Sequence, residues 1–271
     1  MGFWDHLDEL RGTIIKSIVV FVIFAVLIGY YLTQFDRLLM WPFHRAAAEY
    51  PNLTIELVTA TPMEGVNVII AMCMFGSLML SAPFILFFVG QFVAPALTEK
   101  ETKAVLPMCA SAFVLFLTGA AFAFFVLVPG AMRVFIEINR SLDWGFRWTV
   151  GSYYALLTRT VLGVGATFQF PLLILLLVWL GIVNTAFLRK YRRHVIVLIF
   201  VVSAIVTPSI DPFIQTLMAV PLCALYEIAV ILSSRMEKRR ERSGGAVVIA
   251  LLALLPRGRP SRSGIRLGRQ A

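Results

Sequence analysis

Residues 91–101 read QFVAPALTEKE and lie between two long apolar runs of the chain. The stretch begins with apolar and aromatic residues, turns at Pro95, and ends with Glu99, Lys100 and Glu101 before apolar residues resume. The simpler interpretation is a short connection with solvated charges. The alternative is a binding surface at the lip of a membrane, because carboxylates beside apolar side chains suit a ligand that is basic and partly apolar.

The composition around this stretch is that of a polytopic membrane protein. Of 271 residues, 59% are hydrophobic and only 14% are charged, which is far from the composition of soluble domains. A helix needs roughly 20 apolar residues to cross about 30 Å of hydrocarbon. The sequence therefore predicts an all-α integral membrane protein with six transmembrane helices, at approximately residues 13–33, 66–88, 105–128, 152–183, 194–206 and 212–233.

The fifth and sixth predicted helices are short because prolines bound or interrupt them. Pro208 ends the fifth, and the sixth begins near Pro212 and contains Pro221. Two short neighbouring helices predict a concave face, at which the protein does not span the full thickness of the bilayer. Residues 1–235 are predicted to form one membrane domain, and residues 236–271 a basic, largely disordered cytoplasmic tail.

Three segments outside the predicted spans carry patterns of their own. Apolar residues recur at helical spacing in residues 1–13, which predicts an amphipathic helix along the membrane surface. Residues 54–59 alternate enough to predict a brief extended stretch. The Pro-Gly pair at 129–130 predicts a break at the end of the third span, followed by a surface helix over residues 131–139.

The distribution of lysine and arginine predicts the orientation. The predicted loops on the side of the amino terminus hold twelve of these residues, whereas the opposite loops hold five. Because basic residues accumulate on the cytoplasmic side, both termini and the 91–101 stretch are predicted to be cytoplasmic. The net charge of +9 then follows from topology and from attraction to the anionic lipids of the bilayer, so a nucleic-acid partner is not needed to explain it.

Groups suited to catalysis, metal binding or nucleotide binding are missing from the apolar runs. The histidines lie at or beyond the ends of the predicted spans, so no buried pair of nucleophile and base is available, and no phosphate-cradling GxxxxGK[ST] loop occurs. The odd number of scattered cysteines favours buried thiols. The sequence predicts a protein that is not an enzyme and has no catalytic residue, cofactor or metal site. The residues concerned are His6, His44, His194, Cys73, Cys109 and Cys223.

Two carboxylates are predicted to lie at the cytoplasmic interface. Glu9 precedes the first span and Glu101 follows the second. Both could accept bidentate hydrogen bonds from guanidinium groups, the geometry that makes arginine pairing specific. Two solvated surface acids remain the simpler alternative at this point.

Other polar residues lie within or beside the later spans. Gln169 lies deep in the fourth span, where an unpaired amide is costly, so it should face other helices. Near the junction of the fifth and sixth spans, Asp211 is predicted to cap the sixth helix and Gln215 to contact a partner helix, with Thr207 suited to either role. Glu227 lies near the cytoplasmic end of the sixth span.

Three separated motifs occur in order along the chain. They are HLDELR at residues 6–11, FVAPALTEKE at residues 92–101 and TPSIDPFIQTLMAVPLCALYEI at residues 207–228. Their sequence and order within six predicted spans closely resemble the TatC family. That family is the multispanning receptor subunit of the twin-arginine translocase, which moves folded proteins across the bacterial cytoplasmic membrane. The resemblance covers about residues 4–235.

The resemblance implies a cytoplasmic pocket for the paired arginines of a signal peptide, formed here by Glu9 and Glu101 with Arg11 and Phe92 in support. It also implies single-span partners of the TatA and TatB types docking near the fifth and sixth spans. A homo-oligomer within the receptor complex and transport driven by the proton-motive force are further implications. The remaining positions implied to support the loops or to contact partners within the bilayer are Leu10, Pro42, Pro95, Leu97, Gln169, Thr207, Asp211, Gln215 and Glu227.

Three features depart from the family pattern. Thr13 stands where a second basic residue often occurs, Gln169 stands where many members carry a glutamate, and the tail after Gly244 has no family counterpart. A glutamine keeps a hydrogen-bonding role but not a proton-carrying one. The competing class is a six-span transporter of small molecules or ions, which would require paired charges at the bilayer midplane and an internal repeat. A membrane enzyme is the third class.

Overall fold

The computed structural model describes residues 3–51, 53, 55–93, 99–145, 147–179, 181–207 and 211–254. Within these ranges, side chains are described for residues 7–92 and 105–237. In chain order the elements are α1 (Phe3–Tyr30), α2 (Leu32–Leu39), α3 (Trp41–Ala47), β1 (Glu56–Val58), α4 (Glu64–Val93), α5 (Glu99–Phe122), a π-helical turn (Ala123–Leu127), α6 (Val128–Ser141), β2 (Arg147–Thr149), α7 (Val150–Thr167), α8 (Phe170–Trp179), α9 (Thr185–Lys190), α10 (Arg192–Val206) and α11 (Pro212–Leu254).

Five helical stretches of the described residues are long and apolar enough to cross a membrane. The fifth predicted span corresponds to α10, which has 15 residues. At 1.5 Å per residue such a helix rises about 22 Å, less than the ~30 Å of bilayer hydrocarbon. The described part of the chain therefore combines five helices of spanning length with one shorter apolar helix. The five stretches are Leu7–Tyr30, Glu64–Phe92, Val105–Ser141, Val150–Trp179 and Pro212–Glu237.

The sixth predicted span is not short, contrary to the sequence prediction. Helix α11 passes through Pro221 without interruption and continues to Leu254. A proline removes one i→i−4 hydrogen bond, and a membrane helix tolerates the loss where neighbouring groups satisfy the freed carbonyl. The helix also covers residues 236–254, where the sequence predicts a largely disordered tail. Residues 255–271 lie outside the described residues.

The predicted surface helix at the amino terminus is the start of the first spanning helix. Helix α1 is continuous over 28 residues. Its polar residues need no break, because their hydroxyls bond back to carbonyls of the preceding turn. Thr13 donates to the Glu9 carbonyl at 3.0 Å, and Ser17 donates to the Thr13 carbonyl at 2.8 Å.

The Pro-Gly pair at 129–130 does not end the third spanning helix, so this predicted break is wrong. A π turn over Ala123–Leu127 comes directly before α6, which begins at Val128 and includes both residues. The ring of Pro129 would crowd the carbonyl of residue 125 in a regular helix. The wider π turn contains that carbonyl, so the chain continues as helix past the proline.

The fourth predicted span consists of two helices, α7 and α8. Between them Gln169 donates its backbone N–H to the Ala166 carbonyl at 3.0 Å, which closes the last turn of α7. Pro171 has no N–H to donate to the Thr167 carbonyl, so the regular ladder cannot continue through this point. The interruption leaves Gln169 at the junction of the two helices.

A small parallel sheet joins the two connections that precede α4 and α7. Strand β1 pairs with β2 in the register Glu56 to Arg147, which confirms the predicted extended stretch. The side chain of Glu64, at the start of α4, strengthens this junction. It accepts hydrogen bonds from the backbone N–H of Ala60 at 2.5 Å and of Gly151 at 2.6 Å. The two connections therefore lie at the same end of the molecule.

The main cluster of buried apolar side chains forms where α2, α3 and α6 meet α4, α7 and α11. Two tyrosines of α7 attach the short helices to this cluster. The Tyr153 hydroxyl donates to the Leu39 carbonyl at 2.5 Å, and the Tyr154 hydroxyl donates to the Asp36 carboxylate. The most fully buried members include Leu39, Leu127, Val128, Tyr154, Leu157, Ile214 and Met218.

Helices α5 and α7 interlock through two glycine–phenylalanine contacts. A Cβ added at Gly119 would lie 2.6 Å from Cγ of Phe168, and one added at Gly165 would lie 2.9 Å from Cε2 of Phe116. Helix α5 supplies Gly119 and Phe116, whereas α7 supplies Gly165 and the residue that caps its end, Phe168. Small residues that let helix backbones approach closely are a common device in membrane bundles.

Candidate functional site

The first predicted carboxylate, Glu9, lies on α1 at the end of the molecule where α4 ends. The two helices run antiparallel: the ring of Phe24 lies 5.8 Å from that of Phe84, whereas Ile28, further along α1, lies beside Gly76, earlier on α4. Glu9 lies fifteen residues before Phe24, and α4 ends nine residues beyond Phe84. At 1.5 Å per residue along both helices, Glu9 lies about 9 Å beyond the last residue of α4.

The supporting residues around Glu9 are distributed over two helices. Leu10 and Arg11 follow it on α1 and are exposed, while Glu9 itself is half-buried. Phe92, in the last turn of α4, is also half-buried. The structure therefore places the start of α1 and the end of α4 at one surface.

Part of the predicted site lies outside the described residues. Pro95 and Leu97 belong to the undescribed segment 94–98, and the side chain of Glu101 is likewise outside the described side chains. The backbone of Glu101 lies in the first turn of α5, which begins at Glu99.

Pro42 does not lie near this surface. It occupies the first turn of α3, where a proline costs no helical hydrogen bond, and it is buried. Because α3 follows the opposite end of α1 and packs beside α6, Pro42 belongs to the end of the molecule that carries the sheet. Its contribution is to the packing of the loop helices.

Gln169 faces another helix, as the sequence predicts. Its side-chain amide donates from Nε2 to the backbone carbonyl of Ala112 on α5 at 3.0 Å. A glutamate at this position could make the same bond only in its protonated form, since a carboxylate has no hydrogen to donate. The glutamine thus joins the junction of α7 and α8 to α5 without a charge.

The polar residues between α10 and α11 mainly complete the ends of those helices. The Asp211 carboxylate accepts from the backbone N–H of Ile214 at 3.1 Å, which confirms the predicted cap of α11. The Thr207 hydroxyl donates to the Ser203 carbonyl at 2.7 Å.

Gln215 joins α11 to α10. Its amide donates from Nε2 to the Phe200 carbonyl at 2.9 Å. This bond holds the short helix against the long one. The contact of Gln215 with a partner helix stays a prediction.

Glu227 forms an ion pair that the sequence analysis did not identify. Nε of Arg192, at the start of α10, donates to Oε1 of Glu227 at 2.5 Å, and the second guanidinium nitrogen contacts the other oxygen. The carboxylate raises the pKa of Arg192 above its ordinary value, so the guanidinium stays charged. The separation of 35 residues explains the omission, since only helical neighbours reveal such pairs in a sequence.

An apolar cavity of about 270 Å³ lies between α8, α10 and α11. A second, charged cavity of about 490 Å³ lies beside it, and Tyr226 lines both. In the described residues no three His, Cys, Asp or Glu side chains are grouped closely enough to hold a metal ion. The first cavity offers contacts to apolar groups and the second offers contacts to charged groups.

Comparisons with known proteins agree along most of the chain. The family model described as "Sec-independent protein translocase protein (TatC)" matches residues 5–221. The TatC proteins of Azotobacter chroococcum and Escherichia coli K12 are 34% and 33% identical, covering 87% and 84% of this chain and 90% and 86% of those proteins. A crystal structure described as the twin arginine translocase receptor TatC in DDM superposes with a TM-score of 0.72 at 30% identity, over 84% of this chain and 99% of that one.

Proposed function

This chain belongs to the TatC family of Sec-independent protein translocase proteins, and from that membership we propose that it is the receptor for twin-arginine signal peptides. It is a multi-pass membrane subunit of the translocase. The proposed cargo is folded protein that carries such a peptide and crosses the bacterial cytoplasmic membrane at the expense of the proton-motive force.

The position of Glu9 is the observation that carries this proposal. It is half-buried on α1, less than two helical turns beyond the end of α4, so apolar surface and a carboxylate lie side by side. The Glu9 carboxylate would balance the charge of a guanidinium group bound there, while the apolar part of the peptide contacts the bilayer. Charge-assisted bidentate pairing then favours arginine over lysine, because lysine presents a single point charge.

Glu101 is the proposed second carboxylate. Only residues 94–98 separate α4 from α5, and at 3.8 Å per step that connection spans at most about 23 Å. It is too short to cross a bilayer, so the start of α5 lies at the same end of the molecule as Glu9. Arg11 and Phe92 flank the proposed pocket on α1 and α4.

The topology proposed for this function has six spans, with both termini and the pocket in the cytoplasm. Residues 1–235 form the membrane domain in this proposal, and the tail follows in the cytoplasm. The sheet of β1 and β2 then lies on the opposite side, which agrees with both strands belonging to loops at one end of the molecule. The signal peptide's apolar segment would lie along the spanning helices.

Assembly completes the proposal. Single-span subunits of the TatA and TatB types are proposed to dock against α10 and α11, where Gln215 and Glu227 lie, and further copies of this chain to join the receptor complex. The outward residues of α10, including Val197 and Ile205, are 64% and 78% exposed, which leaves an apolar helix face for a partner helix within the bilayer. The protein binds and organises; it makes and breaks no covalent bond.

Photocrosslinking in membranes tests the receptor role. A twin-arginine signal peptide with a photoreactive residue is presented to the native chain and to Glu9→Ala, Glu101→Ala and the double variant. Glu56→Ala is the matched control, because Glu56 is an exposed carboxylate on β1 at the opposite end of the molecule. A twin-lysine peptide measures the dependence on arginine.

Loss of the crosslink in the Glu9 and Glu101 variants, with Glu56→Ala and protein levels unchanged, is the expected result. The twin-lysine peptide should crosslink weakly to the native chain. Unchanged crosslinking in the double variant would reduce both residues to ordinary surface acids. A native chain that captures no signal peptide would favour the transporter class instead.

A further inference from the structure

We propose that a binding site for an anionic glycerophospholipid lies where α8, α9, α10 and α11 meet. One acyl chain occupies the apolar cavity between α8, α10 and α11, and the phosphate lies against the basic residues at its mouth. This site differs from the one proposed to bind signal peptides, because Glu9 and Glu101 lie on α1 and α5.

The apolar cavity offers nothing for a polar ligand to bind. Its walls are mainly aliphatic and aromatic side chains of α8, α10 and α11, among them Ile174, Leu198 and Leu222. Two hydroxyls reach the lining, and both already donate hydrogen bonds to backbone carbonyls of the chain. Thr167 donates to the Gly163 carbonyl at 2.6 Å, and Tyr226 donates to the Leu188 carbonyl at 2.9 Å. The occupant that this cavity suits is therefore a hydrocarbon chain.

The mouth of the cavity is charged on one side. Arg189, Arg192 and Glu227 line the neighbouring cavity of about 490 Å³, together with Tyr226. Because Tyr226 belongs to both linings and its hydroxyl is bonded to α9, its ring forms the wall between the apolar and the charged spaces. A ligand that is apolar at one end and anionic at the other could place its apolar end in the first cavity and its anionic end in the second.

The charge balance at the mouth is positive. Its lining holds two arginines, Arg189 and Arg192, and one carboxylate, Glu227, which pairs with Arg192. Lys190 and Arg193 are exposed and lie next to these arginines in the chain, outside the lining.

The other nearby carboxylate, Glu237, is held elsewhere. It accepts a hydrogen bond from the backbone N–H of Thr185 at 3.1 Å, at the start of α9. Among the described residues neither Glu227 nor Glu237 forms an ion pair with Arg189, so that guanidinium remains available for a phosphate. Basic pockets between membrane helices are a recurring way to hold anionic lipid head groups.

Native mass spectrometry of the full chain in detergent tests the proposal. The chain is titrated with phosphatidylglycerol or with phosphatidylcholine of the same acyl chains, and bound lipid is counted. Arg189→Gln removes one cation from the mouth, and Arg147→Gln, an arginine 80% exposed on β2, is the matched control. Val202→Phe fills the cavity instead.

The native chain should retain phosphatidylglycerol in preference to phosphatidylcholine. Arg189→Gln should weaken phosphatidylglycerol binding about fivefold and leave phosphatidylcholine unchanged, the effect of one surface cation on an anionic lipid. Val202→Phe should weaken both lipids, because it excludes the acyl chain.

Four results would overturn the proposal. The first is equal retention of both lipids by the native chain. The second is an equal loss in Arg147→Gln, which would indicate unspecific surface charge. The third is unchanged binding in Val202→Phe while Arg189→Gln still acts, which would leave a head-group contact without the cavity. The fourth is displacement of the lipid when a single-span partner helix is added to the titration, with no lipid preference remaining, which would assign the cavity to that partner.

Discussion

Adding a single methyl group at Gly119 should destabilise the chain, although alanine is the better helix former. In the structure the new Cβ would lie 2.6 Å from Cγ and 2.9 Å from Cβ of Phe168. Ordinary contacts between carbon atoms are about 3.5–4.0 Å, so the phenylalanine must move by roughly 1 Å. Those atoms are near the backbone and Phe168 is 3% exposed, so a change of rotamer alone cannot remove the overlap.

Two opposing terms set the expected size of the effect. Replacing a mid-helix glycine by alanine stabilises a helix by up to about 1 kcal/mol. Forcing extra volume into a packed interior costs about 1–3 kcal/mol. The net expectation for Gly119→Ala is a loss on the order of 1–2 kcal/mol, which corresponds to several degrees in Tm for a chain of this size.

Thermal unfolding of the purified chain in detergent, followed by near-ultraviolet circular dichroism, measures this loss. Gly12→Ala is the matched control, because Gly12 lies within α1 and a Cβ there would meet no atom within 4 Å. It should leave Tm unchanged or raise it. Phe168→Leu is combined with Gly119→Ala to test the contact itself.

The double variant should lose less stability than the sum of its single changes, since removing the ring also removes the overlap. A Gly119→Ala variant as stable as the native chain would refute the interlocked packing of α5 and α7. Strictly additive losses would place the cost of the methyl group at some other contact.

Three further changes have defined outcomes. Gln169→Leu should cost about 0.5–2 kcal/mol of stability in detergent unfolding, because it removes the hydrogen bond from the Gln169 amide to the Ala112 carbonyl. Gln169→Glu should be less stable at alkaline than at acid pH, because only the protonated carboxyl can donate that bond. Exchanging Arg192 and Glu227 for each other should restore whatever either single charge reversal loses, and the coupling should shrink in high salt because the pair is exposed to solvent. Glu64→Ala should speed limited proteolysis of the loops around β1 and β2, while Glu64→Gln, which keeps an acceptor oxygen, should have a smaller effect.

The sequence and the structure differ most in where the helices are interrupted at prolines. Prolines were expected to end the third span and to shorten the sixth, yet helix continues past both positions. A proline forbids one local hydrogen bond, but the chain can respond with a π turn or with an uninterrupted helix. Pro171 did interrupt the fourth span, at Gln169. Which response occurs depends on the neighbouring helices, and a single sequence does not contain that information.

Much of the proposed site could be predicted because its signals are local. Glu9 and the end of α4 were expected at one interface from the lengths of the apolar runs alone, and the capping role of Asp211 follows from its place before a proline-led helix. The partners of Gln169, Gln215 and Glu227 lie on other helices, so no spacing rule could find them.

The sequence by itself determined three things: that this is a membrane protein, which segments form most of its helices, and which family it resembles. These properties depend on the hydrophobicity of continuous segments and on short motifs, both of which are local. Only the tertiary structure decided that Phe168 fills the space over Gly119, that β1 pairs with β2, and that Arg192 meets Glu227. Each of those contacts joins residues far apart in the chain, and their pairing is set by how the helices pack against one another.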